Sequence, residues 1–270
     1  MSGHKDGEIR TGIGGWTFEP WRGVFYPDDL KQKDELAYAS RALRSIEING
    51  TYYSSFKPDS WKKWRDEAPD GFVFTVKGSR FTTNRRVLAE AGESLEKFFG
   101  QGIAELGDKL GPVFWQFAPT KKFDAEDFGA FLGLLPKTLD GRPLRHAVEV
   151  RHDSFVAPDF AALLREHNVA CVPADHASYP EIADLTADFA YLRLQTGSDD
   201  IETAYAPHDL DLWARRLQTL AKGGEADGLQ KADPATVAST TPRDVFAFVI
   251  HEGKVRAPAA AVALQSRVDG

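Results

Sequence analysis

Several short β-rich runs carry polar side chains on one parity, and these residues set the chemistry open to the chain. In SIEIN, Ile46 and Ile48 alternate with Glu47 and Asn49; in FVFTVK, Phe72, Phe74 and Val76 oppose Lys77. Gln116 stands between Trp115 and Phe117, Glu149 and Arg151 interleave Val148 and Val150, and Arg193 shares a face with Gln195. Paired carboxylates such as Glu47 and Glu149 divide general-acid and general-base work when their surroundings separate their pKa values. Lys77, Arg151 and Arg193 can hold an anion, the arginines by forked contacts. Asn49 and Gln116 can orient hydroxyls or carbonyls. The set suits a small anionic, carbohydrate- or phosphate-like substrate, with hydrolysis ahead of isomerisation. Trp16, in the loop WTFEPWRGVFYP, is expected either as an aromatic wall over that substrate or as part of an apolar lid.

The same residues have other readings. Unpaired buried charge is costly, so Glu47, Lys77, Glu149, Arg151 and Arg193 could instead form an ion-pair plug. The two readings differ in one variant. Glu149→Gln removes turnover with little change in melting temperature if Glu149 is catalytic, and collapses the fold if it is part of a plug. A metal set of Glu149, Asp175 and His251, with Glu47 as fourth ligand, is the weaker alternative. Such donors suit magnesium, manganese or zinc, but no H-x-x-x-H spacing supports them. His146, His152 and His176 read as hydrogen-bonded residues, and Cys171, the one cysteine, as core. No Walker loop, G-x-S-x-G elbow or nicotinamide fingerprint occurs, so no cofactor is named.

Positioning these groups requires alternating strands and helices. Strand-like runs occur at 9–16, 45–53, 72–79, 111–118, 145–152, 169–176, 189–196 and 244–252, with helical patterns such as DELAYASRAL, SWKKWRDEA, AEDFGAFLGLL and PDFAALLREHN between them. LDLWARRLQTLA and PAAAVALQSRV supply the last two helices, while 177–188 lacks one, which predicts a reduced outer element between strands six and seven. Eight such units predict a single-domain (β/α)8 TIM-type barrel over 9–268, its active end at the strands' C-termini. An open doubly wound sheet is the rival, but no G-x-G-x-x-G follows the first strand. Residues 222–243, poor in large apolar groups, read as a flexible excursion within the domain.

With 33 basic against 40 acidic residues the net charge is −7, which argues against nucleic-acid or anionic-membrane partners. No apolar run could span a bilayer, and MSGHKDGE lacks a signal-peptide core. A cytoplasmic protein with a small-molecule ligand is expected. A metabolite-binding protein without turnover, or a metal-dependent isomerase- or nuclease-like barrel, is the alternative.

GIGGWTFEPWRGVFYP, SIEINGTYY, FVFTVKGS, FWQFAP, AVEVRHDSF and AYLRLQTG, taken in order, resemble the successive motifs of the YecE-like family, also called domain of unknown function 72. The resemblance runs from about residue 10 to 265 and implies a TIM-type barrel with no established activity. It places the family's polar strand-end positions on Glu47, Asn49, Lys77, Gln116, Glu149, Arg151 and Arg193. The last strand departs from the family pattern, reading FVIHEG with His251 and Glu252, and so does the long excursion before it.

Overall fold

In the computed structural model, which describes residues 6–270, every β-rich run predicted above contains a strand. Residues 1–5 of MSGHKDGE lie outside the described residues. The strands in the first half are β1 (Ile9–Gly14), β2 (Ser45–Ile48), β3 (Val73–Lys77) and β4 (Leu110–Gln116). A separate antiparallel hairpin, β5 (Thr138–Leu139) and β6 (Arg142–Pro143), turns through Asp140 and Gly141, both at positive φ, as a type I′ turn requires. Then follow β7 (His146–Glu149), β8 (Val169–Cys171), β9 (Ala174–Asp175), β10 (Phe189–Thr196) and β11 (Asp244–Glu252). The run at 169–176 is thus present as two pieces, because Pro173 has no N–H to give to a ladder.

The helices are α1 (Glu35–Ala42), α2 (Pro58–Glu67), α3 (Arg80–Thr83), α4 (Gly92–Phe99), α5 (Ala125–Leu134), α6 (Pro158–Glu166), α7 (Pro207–Ala221) and α8 (Ala257–Asp269). The short α3 and the amphipathic α4, which buries Leu95 and Phe98, were not among the predicted helices. As predicted, no helix lies between β9 and β10. None of the described helices is long and apolar enough to cross a membrane.

Nine parallel strands form one curled sheet in the order β8-β7-β4-β3-β2-β1-β11-β10-β9, within a single α/β domain. Alternation along each strand gives two apolar layers. Ile46, Ile48, Phe74, Val76, Trp115, Val148, Leu192 and Leu194 face the helices in the larger core. Val73, Phe114, Ala147, Ala170, Tyr191, Phe246, Phe248 and Ile250 form a second cluster inside the curl. Charged groups that follow this second parity therefore point into the concave side.

The missing helix leaves the outer faces of β8 and β10 in need of cover. The segment 222–243 provides it: Ala226 and Leu229 border Cys171, Ala190 and Leu192. Asp184, buried in the 177–188 connection, accepts from the backbone N–H groups of Ala232 (2.7 Å) and Asp233 (3.1 Å). Arg165 of α6 pairs with Asp184 at 3.2 Å and with Asp233 at 2.6 Å, tying both segments to the helix layer.

Candidate ligand site at the strand ends

Register brings the polar residues together. Gln116 at the end of β4 pairs with Glu149 of β7, and Glu47 of β2 with Thr75 of β3. From β3, Lys77 donates through Nζ to Gln116 Oε1 (2.8 Å), and Gln116 Nε2 donates to Glu149 Oε1 (2.7 Å). Glu149 accepts further from Arg151 Nε (2.7 Å) and, on Oε2, from Arg193 Nη1 (2.6 Å). Arg193 then forks onto Glu47 through Nε and Nη2, both at 3.2 Å. Tyr191 donates its hydroxyl to Glu47 Oε2 at 2.6 Å, and, its proton so used, accepts from Thr75 Oγ1 at 3.0 Å. Six of the predicted residues thus form one continuous network reaching from β2 to β10.

Burial decides what each member can do. Both carboxylates are fully buried, whereas Lys77 is 9% exposed and the Arg151 side chain 15%. Burial alone would raise Glu149's pKa, but Arg193 and Arg151 overcome it and hold the carboxyl at about 2. Arg193 is likewise opposed by burial yet held above its ordinary value by Glu149 and Glu47. Lys77 goes the other way: burial, reinforced by the nearby Arg193 charge, pushes it down to about 8. Tyr191 stays neutral, raised by burial and by Glu47. Aromatic faces complete the lining. Arg193 lies 4.5 Å from the Phe114 centroid, Arg151 4.4 Å from Tyr179 and Lys77 4.8 Å from Tyr52.

The backbone after β3 is part of this construction. A Cβ at Gly78 would stand 2.0 Å from the Trp115 ring, so the chain can turn here only with glycine. Gly78→Ala is expected to cost about 1–3 kcal/mol by overpacking and to displace Lys77; thermal melting checks the first and a crystal structure of the variant the second.

The other predicted residues lie apart from the network. Asn49 donates to the Glu47 backbone carbonyl at 3.3 Å, beside Gly14 of β1, and bonds none of the network's side chains. Trp16 packs edge-on against Trp64 (5.1 Å) and Phe74 (6.4 Å) in the outer layer, the position of the apolar lid. Asp175 accepts from Thr196 Oγ1 at 2.7 Å, and His251 is exposed beside Glu252. Among the described residues no group of three or more His, Cys, Asp and Glu side chains could hold a metal ion. The metal set of Glu47, Glu149, Asp175 and His251 is therefore not assembled: arginines occupy the Glu149 oxygens and the other two ligands are elsewhere.

His146 accepts from Trp115 Nε1 at Nδ1 (3.2 Å), which leaves Nε2–H to donate to the Pro136 carbonyl (2.8 Å); burial pushes its pKa down to about 4. Burial also raises the Cys171 thiol. Thr75 and Tyr191 were not singled out from the sequence, although each stands two residues before a predicted site residue on the same parity. Tyr179 comes from an irregular connection with no periodic signal. A cleft of about 980 Å³ on the neighbouring rim is lined by Arg85, Arg86, Lys121 and Lys122 but also by Asp124, Glu126 and Asp127, and none of the network residues borders it.

Solved structures share this fold. A DUF72 family protein from Thermotoga maritima is 23% identical, with 96% of this chain and 97% of that chain covered at a TM-score of 0.66. A DUF72 family protein from Enterococcus faecalis is 14% identical, with 99% of each chain covered at a TM-score of 0.70. No curated protein matches the chain. A family model, Protein of unknown function DUF72, matches residues 10–270, and the chain belongs to that family, the one its strand-end motifs resemble.

Proposed function

We propose that the strand ends form a binding site for a small anionic molecule, with Lys77 as its proton-transfer group. The observation that carries this reading is the charge balance of the network. Three cations (Lys77, Arg151, Arg193) face two carboxylates (Glu47, Glu149), which leaves one positive charge at the edge that reaches water. A buried network closes its own charge when it has only itself to satisfy; a surplus cation favours an anion from outside. The hydrogens that such an anion would take are those of Lys77, whose one acceptor among the described residues is Gln116, and the Nη2 of Arg151.

Acid–base work by the Glu47–Glu149 pair is the less favoured chemistry on this reading. A carboxyl held at about 2 stays ionised near neutrality, and both Glu149 oxygens are occupied. Lys77, held at about 8, exchanges its proton near physiological pH, the range where general acids and bases act best. The carboxylates then serve to fix the arginines, and hydrolysis has no particular support over isomerisation or binding without turnover.

The same proposal includes closure of the sheet as a (β/α)8 barrel. Its support is that β8 and β9, the two ends of the strand order, are separated only by Val172 and Pro173, as one interrupted strand would be.

Titration calorimetry with inorganic phosphate tests the reading. Lys77→Met is expected to weaken binding more than tenfold while melting no lower than the wild type, because a buried ammonium is removed. Wild-type affinity should also fall as pH rises past about 8, where Lys77 loses its charge. Unchanged phosphate binding in Lys77→Met would dispose of the site.

A further inference from the structure

Gln195 is an inward polar group at these strand ends that the network leaves unused and, unlike Asn49, it has no hydrogen-bond partner among the described residues. It follows Arg193 by two residues on β10, and the bonds of Tyr191 and Arg193 to Glu47 fix the parity that turns it to the concave side. The strand stays regular through this point. Leu194 pairs with Val249 and Thr196 with Glu252, so the extra residue belongs to β11. That bulge holds His251 at a φ of 70°, a left-handed conformation unusual for any residue but glycine. Gln195 is 1% exposed, yet neither its Oε1 nor its Nε2 has a hydrogen-bond partner among the described residues. Buried side-chain amides are almost always satisfied, and one left with two open atoms lowers stability for some other return.

We propose that the Gln195 carboxamide reads a hydroxyl group of the bound anion, making the ligand a hydroxylated organic oxyanion rather than a bare inorganic one. The proposal rests on the anion-binding reading above and narrows its ligand class. A carboxamide presents a donor and an acceptor side by side. A hydroxyl is the matching group, since it both accepts and donates, whereas an oxyanion only accepts and would set its lone pairs against Oε1. The charged end belongs to Lys77 and Arg151, where unspent N–H donors are available. In the sheet order β2, β1 and β11 lie between β3, which carries Lys77, and β10, which carries Gln195. One ligand touching both must therefore carry a carbon frame between its anionic end and its hydroxyl.

The test compares wild type with Gln195→Leu by thermal melting and by calorimetry against inorganic phosphate, gluconate and glycerol 3-phosphate. The last two separate a carboxylate from a phosphate as the anionic end. Expected is a variant that melts higher than wild type, because an unsatisfied amide gives way to an apolar group of similar size. It should bind phosphate as wild type does and lose about tenfold or more in affinity for whichever hydroxylated probe wild type prefers. A lower melting temperature would overturn the proposal, by showing that the amide serves the fold through an ordered water. So would a hydroxylated probe that wild type binds no better than phosphate, or that Gln195→Leu binds undiminished. Failure of all three probes to bind wild type overturns the anion site itself, whereas undiminished binding by the variant removes only the role of Gln195.

Discussion

Glu149→Gln is expected to lower the melting temperature by roughly 10 °C, since breaking a buried ion pair from one side costs about 3–5 kcal/mol. The carboxylate is fully buried and holds Arg193, Arg151 and Gln116 at once, so the substitution leaves two guanidinium groups without their shared counter-charge. This is the outcome the sequence reading assigned to an ion-pair plug, and the geometry favours it over a catalytic carboxylate whose loss spares the fold. The acid limb of the stability curve carries the same signature. Glu149's folded pKa, about 2, lies below the ordinary value of 4.5, so its contribution is present above pH 4.5 and is lost as pH falls towards 2. The shift corresponds to roughly 3 kcal/mol. Urea denaturation across this range should show that loss in wild type and a much flatter profile in Glu149→Gln; parallel profiles would contradict the pairing.

Arg193→Leu should do more damage. Arg193 is the cation shared between Glu47 and Glu149, and without it two buried carboxylates face each other across an apolar side chain. Each then becomes harder to ionise, through desolvation and through the other's charge. Carboxyls whose folded pKa is raised give most stability below their unfolded pKa and lose it as pH rises. The variant is therefore expected to be partly rescued in mild acid, where at least one carboxyl is protonated, and to unfold readily at pH 8. Chemical denaturation at pH 5 and pH 8 checks this, and a deficit equal at the two values would remove Arg193 from its place between the carboxylates.

Most of the network was legible because a strand offers only two faces. Once Ile46, Ile48, Val148 and Val150 were assigned to the helix layer, Glu47, Glu149 and Arg151 had one direction left, and the structure joins them with Lys77, Gln116 and Arg193. Parity is a weaker guide past the strand ends, where it still places Arg151 beyond β7 but misplaces others. Trp16 and Asn49 lie beyond β1 and β2, and their directions follow loop packing that no two-residue period encodes. Asp175 and His251 were separated by features of the same kind: a strand cut at Pro173 and a bulge in β11. Pro173 was visible in VACVPADH and argues against an unbroken strand there; the bulge has no comparable signal, because His251 adopts a backbone conformation its residue type does not announce.

The interlocking of acceptors and donors also constrains how the chain can change over time. Glu47, Glu149 and Arg193 each strand a neighbour when replaced singly, so a lone substitution at any of the three is costly to the fold. Lys77 and Gln195 carry no such mutual obligation: the one touches the network through a single amide and the other not at all. On the proposed reading, changes at those two positions would alter what the site recognises independently of each other, without unsettling the buried ion pairs beneath them.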